Sequence, residues 1–173
     1  TLPGGEQVVV KVQRPNIIRQ VQSDLRIMQE FSRRLEKRFD WARDMDLGGM
    51  VDEFAAGINK ELDYRNEAYH MLRLADNMAN IPGVHIPILY QSLSTSRILT
   101  MEFIEGVKLT RTQAIDDHGL DRVEMAATFN RAFIKQIFID GFFHGDPHPG
   151  NLSVNLETGV ITFLDMGLVG ELR

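Results

Sequence analysis

The chain has 173 residues, of which 43% are hydrophobic and 25% charged, with a formal net charge of −5 at pH 7. This length can bury one hydrophobic core, and the acidic balance gives no general case for nucleic-acid binding. The absence of cysteine excludes disulfides and thiolate metal sites, and no stretch reaches the roughly 18–20 uninterrupted apolar residues that a membrane-spanning helix needs. The chain begins at Thr1, so we expect it to be a piece of a longer protein.

The first half of the sequence predicts one strand and two long helices. Val8–Val12 is a short β-branched run that is typical of a strand. Apolar residues at helical spacing then predict a helix over residues 16–43, which the glycine pair at 48–49 is expected to end. A second helix is predicted over residues 50–78, with an apolar face that recurs every three or four residues.

The second half predicts short strands, a hinge, a long helix and a hairpin. Residues 85–90 and 97–103 are extended runs, and Glu105-Gly106 after them is interpreted as a hinge between two halves. Residues 122–140 predict a long helix, and residues 152–164 predict a hairpin that turns at a glycine. A mixed sheet half followed by a helical half predicts an α+β fold.

The most informative stretch is the loop 144–151, His-Gly-Asp-Pro-His-Pro-Gly-Asn, followed after a short apolar run by Asp165-Met166-Gly167. It places Asp146, Asn151 and Asp165 in the order and spacing of a phosphoryl-transfer site. In that template the first aspartate handles the acceptor hydroxyl, and the other two residues hold Mg²⁺ through hard oxygen ligands. The ordered set therefore predicts Mg²⁺-dependent phosphoryl transfer.

Lys11 lies within the predicted strand Val8–Val12. A strand lysine is most often part of a polar face, but this context is similar to the kinase strand whose lysine holds nucleotide phosphates and pairs with a helix glutamate. Glu67 is the candidate partner. On one continuous helix Asp63 and Glu67 would lie about 40° apart and Glu61 about 120° from Glu67, so the three acids are not expected to share one task. A solvated acidic stripe is the alternative interpretation.

Two further groups have open interpretations. His144 and His148 have the i, i+4 spacing of zinc ligands on a helix, but the prolines and glycines between and around them forbid a regular helix. We therefore interpret His144 as a structural residue that braces the loop and leave His148 undecided. The four basic residues within 33–38 are either a solvated helix face or a contact with a membrane surface.

On these residues the chain resembles the UbiB/AarF/ADCK group of atypical protein-kinase-like proteins. The resemblance covers about residues 7–170 and depends on V-K-V-Q-R-P at 10–15, E-L-D-Y-R-N-E-A at 61–68, M-E-F-I-E-G at 101–106, and the loop with its D-M-G segment. The first two strings are specific to this family within the kinase-like fold. The loop string is also similar to loops of small-molecule kinases of the aminoglycoside and choline type.

The resemblance implies a partial bilobal protein-kinase-like fold and a role for each candidate residue. Residues 1–104 would be a partial small lobe with long helices, and residues 105–173 a partial large lobe with the catalytic loop and the metal-binding segment. ATP and Mg²⁺ are the implied cofactors. The residues it assigns to the nucleotide are Lys11, Glu61, Asp63 and Glu67, together with the hinge strand 101–104, which would receive adenine through the backbone of Glu102 and Ile104. It assigns catalysis to Asp146 and Lys11, and metal binding to Asn151 and Asp165.

The resemblance also implies an atypical kinase or ATPase that supports ubiquinone and other isoprenoid-lipid biosynthesis at a membrane. Its partners would be ATP, a lipid or membrane surface and proteins of a biosynthetic complex, with no nucleic acid. The implied location is the cytoplasmic side of the inner membrane, peripheral to it or anchored by segments outside this chain. A small-molecule kinase and a nucleotide-binding pseudoenzyme that regulates a lipid-biosynthetic complex are the two alternatives.

Two departures from the family pattern have consequences. Met166 stands where most kinases have phenylalanine, which leaves metal binding by Asp165 intact but makes an aromatic in/out switch doubtful. Residues 1–5 contain neither the alanine-rich nucleotide loop nor the K-x-G-Q segment of the family. We therefore expect this chain on its own to hydrolyse little or no ATP.

Overall fold

The computed structural model describes residues 1–172, which divide into two compact units. One unit consists of residues 1–11 and the chain from Tyr64 onward, and the other of residues 12–63. This division sets the helical segment 12–63 apart from the rest of the chain. It does not test the predicted boundary between residues 104 and 105, which stays a prediction. No helix within residues 1–172 is both long enough and apolar enough to cross a membrane.

The unit 12–63 contains three helices, α1 (Ile17–Arg38), α2 (Asp40–Asp44) and α3 (Leu47–Glu61). Helix α1 packs mainly against α3, and α2 contacts both. The side chain of Gln13 donates a hydrogen bond to the carbonyl of Leu62 at 2.7 Å, so the two ends of this segment are tied to each other. Few apolar side chains are buried in this unit, among them Leu25, Ala42 and Ala55.

The glycine pair at 48–49 lies in the first turn of α3, so the prediction that it ends a helix was wrong. The amides of a first helical turn lack partners within the helix, and here two carboxylates accept from them. Asp46 accepts from the Gly49 amide at 3.2 Å, and Glu36 accepts from the Gly48 amide at 2.7 Å. A Cβ atom on Gly48 would lie 2.9 Å from a Glu36 oxygen, so glycine makes room for this cap. The helix predicted over 16–43 is in turn divided at the extended Phe39.

The helix predicted over 50–78 is also two helices, α3 and α4 (Tyr64–Met78), which are separated at Leu62 and Asp63. The Tyr64 amide donates to the carbonyl of Ser96 at 3.1 Å, so α4 begins afresh with a partner outside both helices. The expected 40° angle between Asp63 and Glu67 assumed one continuous helix and therefore does not apply.

The other unit contains three small sheets. In the first, β1 (Val8–Val12) pairs with β3 (Ile98–Glu102). The second has the order β2 (Val84–His85), β7 (Ile161–Phe163), β6 (Leu152–Val154) and β4 (Val107–Lys108), with a parallel β2–β7 pair and antiparallel neighbours elsewhere. The third is the antiparallel pair β5 (Phe142–His144) and β8 (Val169–Glu171). The predicted hairpin over 152–164 is therefore present as β6 and β7.

Two helices, α5 (Thr112–Asp117) and α6 (Arg122–Phe138), complete this unit. Asp121 caps α6 by accepting from the amides of Val123 and Glu124 at 2.7 and 3.3 Å. The core joins α4 and α6 to the sheets, and the side chains within it that are almost fully buried include Met71, Leu74, Leu99, Ile161, Phe163 and Met166. Met166 belongs to the predicted metal-binding segment, so its side chain anchors that segment to the core.

Candidate active site

The pair of Lys11 and Glu67 connects β1 to α4. Lys11 Nζ lies 2.6 Å from Glu67 Oε1 and 3.6 Å from Asp165 Oδ2. The Glu67 side chain is only 6% exposed, whereas that of Asp165 is 50% exposed. Three residues predicted from distant parts of the sequence thus meet at one ammonium group, with Glu67 buried behind it and Asp165 open to solvent.

Opposing influences act on the charge of Lys11. Burial alone would lower the pKa of the lysine, but the hydrogen bond and charge of Glu67, followed by the charge of Asp165, more than offset it. The pKa of Lys11 therefore lies above its ordinary value. The ammonium stays charged at neutral pH and can meet an anion.

The predicted catalytic loop follows β5, and Asp146 and Asn151 are hydrogen-bonded within it. Asn151 Nδ2 donates to Asp146 Oδ2 at 3.0 Å and to the Asp146 carbonyl at 3.2 Å. His148 Nδ1 accepts from the Gly150 amide at 3.0 Å and caps the single 3₁₀ turn Pro149–Asn151. His148, undecided from the sequence, thus has a structural role in this loop, while Asn151 fixes one oxygen of the Asp146 carboxylate.

Backbone hydrogen bonds hold the loop against the segment that carries Asp165. The Gly145 amide donates to the Leu168 carbonyl at 2.9 Å, and the Leu164 amide donates to the Asn151 carbonyl at 2.9 Å. A Cβ atom on Gly145 would lie 2.9 Å from Leu168 Cγ, so the close approach of the two segments requires glycine. Asn151 is thereby paired through its backbone with Leu164, the residue before Asp165.

His144 is almost fully buried, as the prediction of a bracing role requires. Its Nδ1 accepts from the Asp146 amide at 3.1 Å, so the neutral ring carries its proton on Nε2. Burial lowers the pKa of His144, although the Asp165 backbone and the charges of Asp165 and Asp146 oppose this. Nε2 is buried and has no hydrogen-bond partner within the described residues.

The donor chemistry of the site fits Mg²⁺. Mg²⁺ in proteins takes oxygen ligands, and it is usually held by one or two carboxylates together with substrate phosphates and waters. Asp165 offers an exposed carboxylate, and Asn151 uses its amide nitrogen toward Asp146, so that its amide oxygen is the atom suited to a cation. Within residues 1–172 no group of three or more histidine, aspartate or glutamate side chains could hold a metal ion by itself. Asn151 and Asp165 would therefore share an ion with phosphate oxygens.

His70 is a residue of the site that the sequence analysis missed. Its Nδ1 lies 2.9 Å from the carbonyl oxygen of Met166, and its ring centroid is 5.9 Å from that of Phe142. His70 follows Glu67 by three residues on α4, which places the two side chains on neighbouring positions of the helix surface. That spacing was the available signal, but the partner at Met166 could not be read from it.

The residues predicted to receive adenine lie at the end of β3. The Glu102 amide donates to the Ile88 carbonyl at 2.9 Å, and the Phe103 amide donates to Gln7 at 3.1 Å. The Glu102 carboxylate accepts from His85 Nε2 at 2.7 Å and from the Ile88 amide at 3.0 Å. The His85 contact was not predicted. Adenine recognition by Glu102 and Ile104 stays a prediction.

Glu61 and Asp63 belong to the unit 12–63, whereas Lys11 and Glu67 belong to the other unit. Glu61 is the exposed last residue of α3, and Asp63 lies in the break before α4. Their predicted role at the nucleotide stays a prediction. In the basic cluster of α1, Arg33 pairs with Asp52 and Arg34 with Glu30, both at 3.6 Å and both exposed.

Comparison with known families and proteins gives matches along the whole chain. The ABC1 atypical kinase-like domain matches residues 1–173. A Synechocystis protein, sll1770, is 36% identical over 168 residues, which cover 97% of this chain and 29% of that protein. The chloroplastic protein ACTIVITY OF BC1 COMPLEX KINASE 7 of Arabidopsis thaliana is 36% identical over 172 residues, which cover 99% of this chain and 24% of that protein. The chain therefore spans less than a third of the length of these relatives.

A solved structure shows the same fold. The Mycobacterium tuberculosis protein Rv3197, determined as a complex with erythromycin, superposes with a TM-score of 0.77 at 27% sequence identity. The match covers 98% of this chain and 41% of that protein. Together with the family match it confirms the predicted α+β, kinase-like fold and the family resemblance.

Proposed function

The chain belongs to the ABC1 atypical kinase-like family, and we propose that it forms the nucleotide- and metal-binding centre of a Mg²⁺-dependent phosphotransferase or ATPase. The observation that carries the proposal is the position of Lys11, whose ammonium lies between the carboxylates of Glu67 at 2.6 Å and Asp165 at 3.6 Å. Glu67 fixes the direction of the lysine, and half of the Asp165 side chain stays open to solvent. Such an arrangement suits the binding of phosphate oxygens and their cation, because phosphoryl transfer depends on positioning and charge neutralisation.

In the proposed reaction Asp146 accepts a proton from the attacking hydroxyl or water. The oxygen that loses this proton forms a bond to the γ-phosphorus of ATP, while the bond from that phosphorus to the β–γ bridging oxygen breaks and ADP leaves with the electron pair. Asn151 holds Asp146 Oδ2 at 3.0 Å, so the other carboxylate oxygen is the one that takes the proton. Mg²⁺, when bound, supplies further neutralisation of the phosphate charge.

We further propose that this activity supports ubiquinone or another isoprenoid-lipid pathway at the cytoplasmic side of an inner membrane. The family resemblance supports the pathway, and one face of α1 supports the membrane. Ile27 and Phe31 are 64% and 61% exposed, and Arg34 and Arg38 continue the same face at helical spacing. Exposed apolar side chains beside arginines suit a surface of anionic lipids. Proteins of a biosynthetic complex would be further partners.

The proposed function is tested by ATP binding and turnover of the full-length protein with and without Mg²⁺. We expect turnover to require Mg²⁺ and to fall by about 10²–10³-fold in Lys11→Ala and in Asp165→Asn, the usual effect of removing one electrostatic contact to a transition state. Lys108→Ala and Asp117→Asn remove the same charges from exposed positions and serve as matched controls. Unchanged nucleotide affinity and turnover in both site variants would refute the assignment of the site.

Added lipid and acceptors separate the alternatives. Turnover that rises with vesicles containing anionic lipid supports the membrane-associated enzyme. Transfer to a soluble hydroxyl compound, independent of lipid, would replace the proposal by a small-molecule kinase. Tight ATP binding with no turnover under any of these conditions would replace it by a nucleotide-binding regulator.

A further inference from the structure

Helix α6 carries a fully buried glutamine that the proposed mechanism does not use. Gln136 is 0% exposed, and its Oε1 accepts a hydrogen bond from the buried amide of His144 at 2.9 Å. Its Nε2 lies 3.8 Å from the sulfur of Met78, which is a weak acceptor. Burying a side-chain amide is unfavourable unless its hydrogen bonds are made, and an apolar side chain of this size would avoid that cost. The oxygen of Gln136 therefore calls for a role beyond packing.

A continuous path of hydrogen bonds leads from this oxygen to the catalytic loop. The His144 amide donates to Gln136, and the His144 ring in turn accepts from the Asp146 amide through Nδ1 at 3.1 Å. Asn151 then holds Asp146 at its carbonyl and its carboxylate, at 3.2 and 3.0 Å. Each bond constrains the next residue, because the backbone position of His144 sets where its ring can receive the Asp146 amide.

We propose that Gln136 is a positioning residue for Asp146, acting through His144. Since the partner at 2.9 Å is an N–H group, the side-chain atom that faces it must be the oxygen, which fixes the orientation of the amide. A methionine at this position would fill nearly the same volume but would offer the His144 amide only a weakly accepting sulfur. The catalytic consequence rests on the proposed function, whereas the hydrogen-bonded path stands independently of it.

The first test is kinetic and uses three variants of the full-length protein. Gln136→Met replaces the acceptor oxygen by a weakly accepting sulfur, Gln136→Glu retains an acceptor oxygen, and Met78→Leu changes the contact at the other end of the amide. We expect kcat for ATP turnover to fall about 10–100-fold in Gln136→Met with KM for ATP nearly unchanged, because small displacements of a catalytic group cost up to about 10²-fold. Gln136→Glu should recover most of kcat, and Met78→Leu should stay near the wild-type value.

The second test needs no turnover. In ¹⁵N NMR spectra the His144 ring should show a protonated Nε2 and an acceptor Nδ1, and its amide should exchange slowly with solvent. In Gln136→Met we expect that amide to exchange at least about tenfold faster, since a lost hydrogen bond of about 1.4 kcal/mol corresponds to that factor. Gln136→Glu should restore slow exchange. If the wild-type protein shows no ATP turnover, the proposed function fails, yet this measurement still decides whether the path exists.

Two results would overturn the inference. One is wild-type kcat and a protected His144 amide in Gln136→Met. The other is an equal loss of kcat in the Met and Glu variants that follows their loss of thermal stability, which would indicate a packing role alone. If Gln136→Met does not fold, Gln136→Asn is measured in its place, because its shorter side chain cannot reach the His144 amide.

Discussion

His70 and Met166 are joined by a contact of 2.9 Å between the ring nitrogen Nδ1 and the backbone carbonyl oxygen. The same helix, α4, presents Glu67 to Lys11 at 2.6 Å. Helix α4 therefore contacts both parts of the candidate site. Glu67 holds Lys11, the candidate nucleotide lysine, and His70 holds the backbone of Met166, next to the candidate metal ligand Asp165. A displacement of α4 would change both contacts together.

Replacing His70 by leucine removes the donor to Met166 and leaves the apolar contact with Phe142. A neutral hydrogen bond contributes about 0.5–1.5 kcal/mol, so we expect the Mg²⁺ concentration for half-maximal turnover to rise about 2–10-fold. The measurement is ATP turnover as a function of Mg²⁺. Leu72→Ala, at an exposed position of α4, is the control, and an equal shift in both variants would argue against a specific role of His70.

Replacing Glu67 by glutamine removes the carboxylate that holds Lys11. A hydrogen bond to a charged group contributes about 1.5–3 kcal/mol, so the free energy of unfolding should fall by about that amount. The pKa of Lys11 should also fall, because the charge of Glu67 would no longer help Asp165 to offset burial. Urea denaturation checks the first expectation. Glu61→Gln, at an exposed position, should change stability by less than about 0.5 kcal/mol.

The stability of the protein should fall in mildly acidic solution because of His144. Burial lowers its pKa in the folded state below the ordinary value near 6.5, so below that pH the unfolded chain binds more protons. The contribution is complete above about pH 6.5 and is lost as pH falls toward the folded-state pKa, with a slope of at most about 1.4 kcal/mol per pH unit. Urea denaturation between pH 5 and 8 should show a shallower slope in His144→Asn. Parallel profiles would contradict the prediction, and exposed His118→Gln provides the surface control.

Adding one methyl group should have opposite effects at two glycines. In Gly145→Ala the new Cβ would lie 2.9 Å from Leu168 Cγ and 3.3 Å from the Leu168 backbone, so we expect a loss of about 1–3 kcal/mol. Gly57 lies within α3 with open space around it, so Gly57→Ala should stabilise by about 0.5–1 kcal/mol. Thermal or urea denaturation measures both. Stabilisation by Gly145→Ala would show that the loop can move away from Leu168.

Much of the candidate site could be predicted because several of its residues lie close together in the sequence. Asp146, Asn151 and Asp165 are read from one short stretch, and the strand context of Lys11 pointed to a helix glutamate. The break between α3 and α4 was missed, since the periodic apolar pattern continues through Leu62 and Asp63. The cap at Gly48 and Gly49 was missed because Glu36, which accepts from Gly48, lies on another helix.

Contacts between residues far apart in the sequence could not be predicted from residue patterns. His70 meets Met166 across 96 residues, and the two- and three-residue strands β4, β5 and β8 are too short to show a period. Gln136 lies on the buried face of α6, where a polar residue among apolar neighbours was the one available signal. Without the position of β5, that signal does not identify the His144 amide as its partner.

The separation of the partners has a consequence for biosynthesis. The Lys11–Glu67 pair closes a loop of 56 residues, and the His70–Met166 contact spans 96. Closing long loops costs chain entropy before any contact compensates, and domains fold as the chain emerges from the ribosome. Lys11 and Glu67 are synthesised well before Asp165 and Met166. During translation the contact between His70 on α4 and Met166 can therefore form only after Met166 has left the ribosomal tunnel.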